Sequence, residues 1–576
     1  MYDRFPYVAA GRRDECLANW TEIGHAIAAR AGDCGLVVVE CYPGAFEAEI
    51  ERGLGEAIPG ARFVRTAPLL REPAEIDTML TLFLGDDPVF GMMNAVEIAD
   101  FLHPAKLAEA RREISSRNGI AIVLGTGASV VCPEADVLVY ADMARWELQL
   151  RYRRNEIGNL GADNLEERPS RKYKRAFFVD WRAADRLKAR LLDRIDFLLD
   201  TNRPHRPRAI GGDVFRRSLR TVVGRPFRVV PFFDPGPWGG HWMERVCGVP
   251  AGDTPNHAWC FDCVPEENSL LLGFGELRVE IPSIDAVLAH PEQLLGSTVY
   301  RRFGAEFPIR FDFLDTMGGG NLSLQVHPLT AYIREHFGMN YTQDESYYML
   351  DAGQDACVYL GLKEGIDRDA MLGDLRRAQD GAFDFPVEKY VNRFPARKHD
   401  HFLIPAGTIH CSGRNSMVLE ISATPYIFTF KLWDWGRLGL DGIPRPIHLE
   451  HGAANIQWSR TEDWVRRSLI NRVEPAGSGE GWREERTGLH ELEFIETRRH
   501  WFTQPVPHDT AGTVHVLNLI EGSAAMVESP ANAFAPFEVH YAETFIVPAA
   551  VGPYTIRPLG SSARGEHGTM QARVRI

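Results

Sequence analysis

A chain of 576 residues is too long for one hydrophobic core and should divide into about three or four domains. Its formal net charge of −14 argues against nucleic acid or an anionic membrane as the main partner, because both reward clustered cations. No apolar run reaches bilayer length, and the opening MYDRFPYVAAGRRDE lacks the apolar segment of a leader, so a cytoplasmic protein without a membrane partner is expected. Nine cysteines form no disulfide framework: Cys260 and Cys263 make one isolated C-x-x-C, and Cys411 reads as a small buried filler.

In chain order, Trp20 to Arg30 has helical periodicity, and CGLVVVECYPG gives an apolar strand ending in a turn. In a mononucleotide-binding fold that turn is the phosphate loop, whose backbone N–H groups, Lys and Ser/Thr hold phosphate and magnesium. Here it reads YPGAFEAEI: Gly44 is present, the Lys and the hydroxyl are missing, and Glu47 and Glu49 at the helix start would repel a phosphate. GIAIVLGTGASVV and ADVLVYADMARWELQLRYRRNE add two strands, the second running into a basic helix.

This order over Leu36 to Glu156 resembles the uridine kinases and other P-loop nucleoside kinases. It implies a degenerate P-loop-kinase-like α/β domain over residues 1–205, without phosphoryl transfer and with room for weak nucleotide binding only. Arg171 to Leu199 reads as a strand followed by an amphipathic helix that completes the domain. TNRPHRPRAIGGD, rich in Pro, Arg and Gly, reads as the start of a linker over 206–225.

Beyond it the pattern turns to strands. In NLSLQVHP, Leu322, Leu324 and Val326 alternate with Ser323, Gln325 and His327, so Gln325 and His327 point the same way. HFLIPAGTIH is a short strand, a Pro-Ala-Gly turn and a return strand carrying His410; between the two runs, DESYYML sets Glu345 ahead of an aromatic strand. A Gln, two His and a Glu from neighbouring strands suit a borderline metal such as zinc, with one position left open. Asp367 to Gln379 reads as an inserted helix. Near the C-terminus VHVLNLIEGSAAMV reads as strand, turn and strand, and AETFIVPAAVGPYTI echoes HFLIPAGTIH without its histidine.

Taken in order and spacing, QVHP, the acidic-aromatic strand, IPAGTIH, LEIS and TFKLWDWGR resemble the class I mannose-6-phosphate isomerases. The likeness starts near the WGG of Trp238 to Gly240 and includes FPIRFDFLD. It implies a multidomain protein whose second part is a mainly-β cupin (jelly-roll) region: a metal-binding barrel with a helical insertion over 226–470 and a metal-free barrel over 471–576. It also implies one zinc per chain on Gln325, His327, Glu345 and His410, and interconversion of mannose 6-phosphate and fructose 6-phosphate through a cis-enediol.

In that resemblance the family's active-site Glu falls on Glu420, and its enediolate-stabilising Arg is replaced by Lys431. Ser323 keeps a position the family uses near the phosphate; Arg437 and Arg445 are candidates for orienting sugar hydroxyls. The family's two phosphate-side lysines are missing, since Asp312 and Gln343 stand in their places, and Arg310, on the same strand face as Asp312, is the candidate replacement cation. These departures keep two alternatives open: an isomerase or epimerase of an unphosphorylated sugar, and a non-catalytic sugar or nucleotide sensor.

Overall fold

A computed structural model of the chain describes residues 2–115, 119–381, 383–423, 427–488, 490–559 and 565–575. It forms two compact units, one of residues 7–222 and 269–290, the other of residues 2–6, 223–268 and 291–575. Among the described residues no helix is long and apolar enough to cross a membrane.

The α/β unit is built on Leu36–Cys41, LVVVEC, every residue of which is buried. A strand apolar on both faces belongs inside a parallel sheet, and this one pairs in parallel with Ala121–Gly125 on one side and Val137–Asp142 on the other. Arg62–Arg65 and Phe197–Asp200 extend the parallel set outwards. Numbered along the chain, these five strands lie in the order 2-3-1-4-5, and Arg208–Gly211 and Cys16–Leu17 close the sheet beside the fifth. Helix Trp20–Ala31 is started by the Asn19 side chain, which accepts the Glu22 N–H at 2.9 Å, and drives Ile23 and Ile27 into the core.

Three sequence expectations are corrected in this unit. Arg171 to Leu199 begins helical rather than extended: Pro169–Arg175 and Trp181–Leu191 flank a π-turn, and the strand Phe197–Asp200 comes last. The alternation in RKYKRAFFVD misleads because both faces of this helical run are buried, the Lys172, Lys174 and Arg175 heads included. Residues 206–225 are not a linker, since they contain the strand Arg208–Gly211 and the helix Gly212–Val223. The unit also takes back residues 269–290 from the β region. There Ser269–Phe274 pairs with Tyr7–Gly11 and with Leu277–Pro282, Asn202 Nδ2 donates to the Glu280 carbonyl at 3.0 Å, and buried Lys188 joins Asp142 (2.7 Å) to Asp285 (2.9 Å).

The second unit is antiparallel β throughout its main sheets. A six-stranded sheet runs in the order His401–Ile404, Glu345–Ala352, Ser416–Ser422, Arg310–Asp315, Trp259–Cys263, Phe232–Asp234. A five-stranded one runs Val391–Pro395, Cys357–Leu362, His410–Ser412, Leu324–Val326, Phe430–Trp433. The inserted helix is Arg368–Gln379, capped by Asp367, whose carboxylate accepts the N–H groups of Asp369 and Ala370. A further pair of sheets follows from Glu474 onwards, of six and four strands, around an apolar cluster that includes Val506, Leu517, Leu519, Phe545 and Ile556.

Candidate active site

Register brings the predicted ligands together. Gln325 lies directly opposite His410 on one neighbouring strand and opposite Lys431 on the other, and His327 follows two residues on, on the same face. Glu345 begins its strand in the other sheet. All four side chains are buried, and the ligand atoms of His327, Glu345 and His410 lie within 4.8 Å of one another, the one such cluster among the described residues. Glu345 Oε1 is 2.7 Å from His410 Nε2, and its Oε2 is 3.2 Å from His327 Nε2.

The donor pattern decides whether a metal fits. His410 Nδ1 is 2.8 Å from the Thr408 carbonyl and His327 Nδ1 is 3.2 Å from the Phe428 carbonyl. Carbonyl oxygens only accept, so each imidazole spends its Nδ1 proton there and turns an Nε2 lone pair towards a carboxylate that is also acceptor-only. His327 Nε2 and Glu345 Oε1 accordingly have no hydrogen-bond partner. Lone pairs meeting in a buried space call for a cation, and second-shell carbonyls that fix the imidazole tautomer are the usual support of a metal ligand. Gln325 Nε2 is 3.2 Å from His410 Nε2; a half-turn of that amide presents Oε1 to the same point. The residues therefore fit a divalent ion with an N2O2 donor set.

Beside the cluster lies a cavity of ≈ 280 Å³, which of the four predicted ligands Gln325 lines. Of the residues singled out in the sequence, Arg310, Asp312, Ser323, Gln325, Gln343, Glu420, Lys431 and Arg445 line it. Arg437 does not: it donates to Asp434 at 2.7 Å and to the Asn321 carbonyl, behind the wall. Asp434 also takes Arg445 (2.6 Å) and the Ser323 hydroxyl (3.0 Å), which fastens that end of the cavity.

Arg310 is not a free cation, contrary to its reading as a replacement for a lost lysine. Asp312 and Glu420 face each other across neighbouring strands, an unfavourable like-charge pair unless something lies between them. Arg310 does so, with Nε 3.1 Å from Asp312 and Nη2 bonded to Glu420. Burial still raises Asp312 to about 6, and burial with the nearby Asp312 and Glu345 carboxylates pushes Glu420 well above its usual value. Gln343 bridges the centres, donating to Glu345 Oε2 at 3.0 Å and lying 3.4 Å from Glu420. Lys431 is lowered to about 8, by burial first and by Arg445 second.

An aromatic wall was missed. Trp238, Trp259 and Phe261 line the cavity, the two indoles packed edge to face with centroids 4.7 Å apart. The signal was the density of aromatics in PWGGHW and AWCFDC, which sequence alone reads equally well as core.

In the α/β unit, the places where a doubly wound sheet receives phosphate hold the chain's own charges. Glu40 accepts the N–H groups of Gly127 and Ser129, both at 2.7 Å. The turn after the first strand points the Gly44 carbonyl at Arg151 (2.8 Å), whose guanidinium lies 3.8 Å over the Phe46 ring.

Comparison with known proteins adds four findings. A family model described as a domain of unknown function (DUF8485) matches residues 19–224. The mannose-6-phosphate isomerase of Streptococcus mutans is 26% identical over 215 residues, 37% of this chain and 62% of that protein, so the match spans less than two thirds of that relative's length. The mannose-6-phosphate isomerase ManA of Bacillus subtilis is 24% identical over 241 residues, 41% of this chain and 69% of that protein. The crystal structure of the mannose 6-phosphate isomerase from Bacillus subtilis aligns with 61% of this chain and 100% of its own, at 17% identity and a TM-score of 0.48.

Proposed function

We propose that this protein is a metal-dependent aldose–ketose isomerase that interconverts mannose 6-phosphate and fructose 6-phosphate. The observation that carries the reading is the buried His327–Glu345–His410 cluster, reached through Gln325 and Gln343 from a cavity lined by Glu420 and Lys431. The curated relatives' names point to the same substrate.

Gln325, His327, Glu345 and His410 would hold a zinc ion, which when bound polarises the oxygens on the two reacting carbons. The remaining work falls to the chain. Glu420 takes the proton from C2, leaving a cis-enediolate, and, once the hydroxyl proton has passed from O2 to O1 by way of the cis-enediol, returns its own proton to C1; a carboxyl pushed upwards by burial is a stronger base than an ordinary one. Arg310, Gln343 and the Ser422 hydroxyl, the last at 2.9 Å, fix the position of Glu420 Oε1. The Lys431 ammonium faces the charge that develops on the substrate oxygen. Trp238 and Trp259 present an apolar wall for the sugar's C–H face and exclude water.

The test is turnover of mannose 6-phosphate by the full chain, before and after chelation and zinc re-addition, alongside Glu420→Gln. Chelation and the substitution should each abolish isomerisation, and Glu420→Gln should also stop exchange of the substrate's C2 proton with deuterated solvent while keeping its metal. Turnover indifferent to both would end this reading.

For the α/β unit we propose a structural role without phosphoryl transfer, because Glu40 takes up the Gly127 and Ser129 N–H groups and the first turn, which lacks the Lys and hydroxyl of a phosphate loop, directs the Gly44 carbonyl at Arg151. Magnesium-dependent hydrolysis of ATP by the full chain above background would overturn it.

A further inference from the structure

Residues 341–344 separate two cavities. Gln343 faces the first, whereas Tyr341, Thr342 and Asp344 line a second of ≈ 660 Å³ that shares no residue with it. The floor of the second cavity is acidic and buried. Glu493 is 6% exposed, and its Oε1 has no hydrogen-bond partner. Asp344, 9% exposed, accepts the Ala406 N–H at 2.8 Å with one oxygen. Among the described residues neither carboxyl makes a direct ion pair with an Arg or Lys; Arg460 attracts both, and Arg575 attracts Glu493, from farther off.

The rim is of opposite sign. Arg302 and Arg334 are exposed there and Arg575 half-buried, with Glu491 as the rim's one acid. One wall is aromatic: Phe303 meets Tyr341 at 5.1 Å and Phe494 at 4.9 Å, and the Arg302 guanidinium lies over Phe303 and Phe494. Thr330, Asn340 and Thr342 supply uncharged hydrogen-bonding groups between floor and rim.

We propose that this cavity is a binding site for an aminated sugar phosphate. An ammonium group brings three donors and one positive charge to a floor made of acceptors, and it meets buried carboxyls that no cation contacts directly. A phosphate at the other end meets the guanidinium rim, where charge-assisted and bidentate bonds are available. The hydroxylated ring between them lies against the aromatic wall, polar edges towards the threonines. A hexose phosphate without the amine leaves the floor unanswered, and an amino sugar without the phosphate leaves the rim unanswered. The floor adjoins Glu345 in sequence and holds the turn that leads to His410, so an occupant sits next to both strands that carry metal ligands. This site goes beyond the proposed isomerase and is tested without it.

The experiment is calorimetric titration of the full chain carrying His410→Ala, so that the first site contributes no turnover, with glucosamine 6-phosphate, glucose 6-phosphate and glucosamine as probes. Glucosamine 6-phosphate should bind once per chain and at least about tenfold tighter than either comparison compound. Glu493→Gln should erase the preference for the amine. Arg334→Glu, an exposed change that leaves the fold intact even if the buried one does not, should weaken both phosphates about fivefold or more and leave glucosamine unchanged. Equal affinity for the two phosphates, no saturable binding up to about 10 mM, or indifference to Arg334→Glu would each overturn the proposal.

Discussion

The pair of sheets that carries His327, Glu345 and His410 and the C-terminal pair from Glu474 onwards, here the C-terminal sandwich, lie in one unit and both carry histidines on their inner faces, yet among the described residues only the first gathers ligand atoms. In the C-terminal sandwich, Val506, Leu517 and Ile556 belong to the apolar core, so His508, His515 and Tyr554, each two residues away along its strand, point inwards as well. His500 lies beside His508, with ring centroids 4.4 Å apart, and His508 stacks on Tyr554 at 4.8 Å. Here, however, the ring nitrogens do not converge: His500 Nδ1, His508 Nε2 and His515 Nε2 have no hydrogen-bond partner, yet among the described residues they gather with no carboxylate into a ligand cluster. His515 Nδ1 meets the Tyr554 hydroxyl at 2.9 Å, and Arg498 joins Glu484 to Glu496, both at 2.7 Å. Burial holds His515 down to about 3, a neutral ring. Architecture therefore does not decide chemistry. What decides it is whether two acceptor sets are made to face each other without a donor between them.

The strongest way to break that comparison is to remove one imidazole from each sandwich. His410→Ala should lower metal content from about one ion per chain to near none and cut kcat/KM for mannose 6-phosphate by at least about a thousandfold. His515→Ala should leave the metal in place. Elemental analysis decides it: full occupancy in the first variant, or loss in the second, would show that the ligand set has been assigned to the wrong residues.

A second contrast concerns buried charge. Arg310 holds apart two carboxylates that no other described cation reaches, so Arg310→Met should destabilise the protein by roughly 3–5 kcal/mol. Arg498→Met, at a partly solvated position, should cost about 1 kcal/mol or less. Denaturant midpoints read both. Equal effects would mean that the Arg310 cluster is better solvated than its burial indicates.

The two regions should also respond to acid in opposite directions. His515 has its folded value lowered from 6.5 to about 3, so the stability it permits is present above pH 6.5 and is lost as the pH falls towards 3. Asp312 has its folded value raised from 3.8 to about 6, so its contribution is present below 3.8 and is lost as the pH rises through 6. Unfolding curves across this range should show His515→Gln recovering up to roughly 4–5 kcal/mol at the acid end and Asp312→Asn recovering a smaller amount near neutrality. A slope unchanged in both variants would remove titration of these groups as the cause.

The same contrast explains what could be read from the sequence. Alternation in LSLQVH, the Pro-Ala-Gly turn and the position of DESYYML are local signals, and they place Gln325, His327, Glu345 and His410 on strands that the fold brings together. Ion pairing is not local. Nothing in FPIRFDFLD tells that Arg310 is already engaged, because Glu420, its second partner, is 110 residues away. Likewise TNRPHRPRAIGGD has the composition of a linker, and only the neighbouring strand Phe197–Asp200 turns its second half into sheet. His500, His508 and His515 carried no motif, since their meeting depends on three strands in register.

The smallest expected effect concerns the phosphate. With Arg310 shared between Asp312 and Glu420, and Arg445 held by Asp434 and Ser323, Lys431 is the cavity cation that no described carboxylate pairs. One ammonium facing a dianion gives weak, screenable attraction, and screening acts over about 8 Å at physiological ionic strength. The KM for mannose 6-phosphate should therefore be high and rise about two- to threefold from low to physiological salt, whereas free mannose should show no such dependence. Asp312→Asn removes one claim on Arg310 while keeping the shape of the side chain, and should lower that KM about threefold with kcat nearly unchanged. Steady-state kinetics on mannose and mannose 6-phosphate, in both proteins and at two salt concentrations, gives the answer. If the substitution helps both sugars equally, Arg310 acts on the hydroxyls common to them; if free mannose is the better substrate throughout, the phosphate is not what this cavity selects.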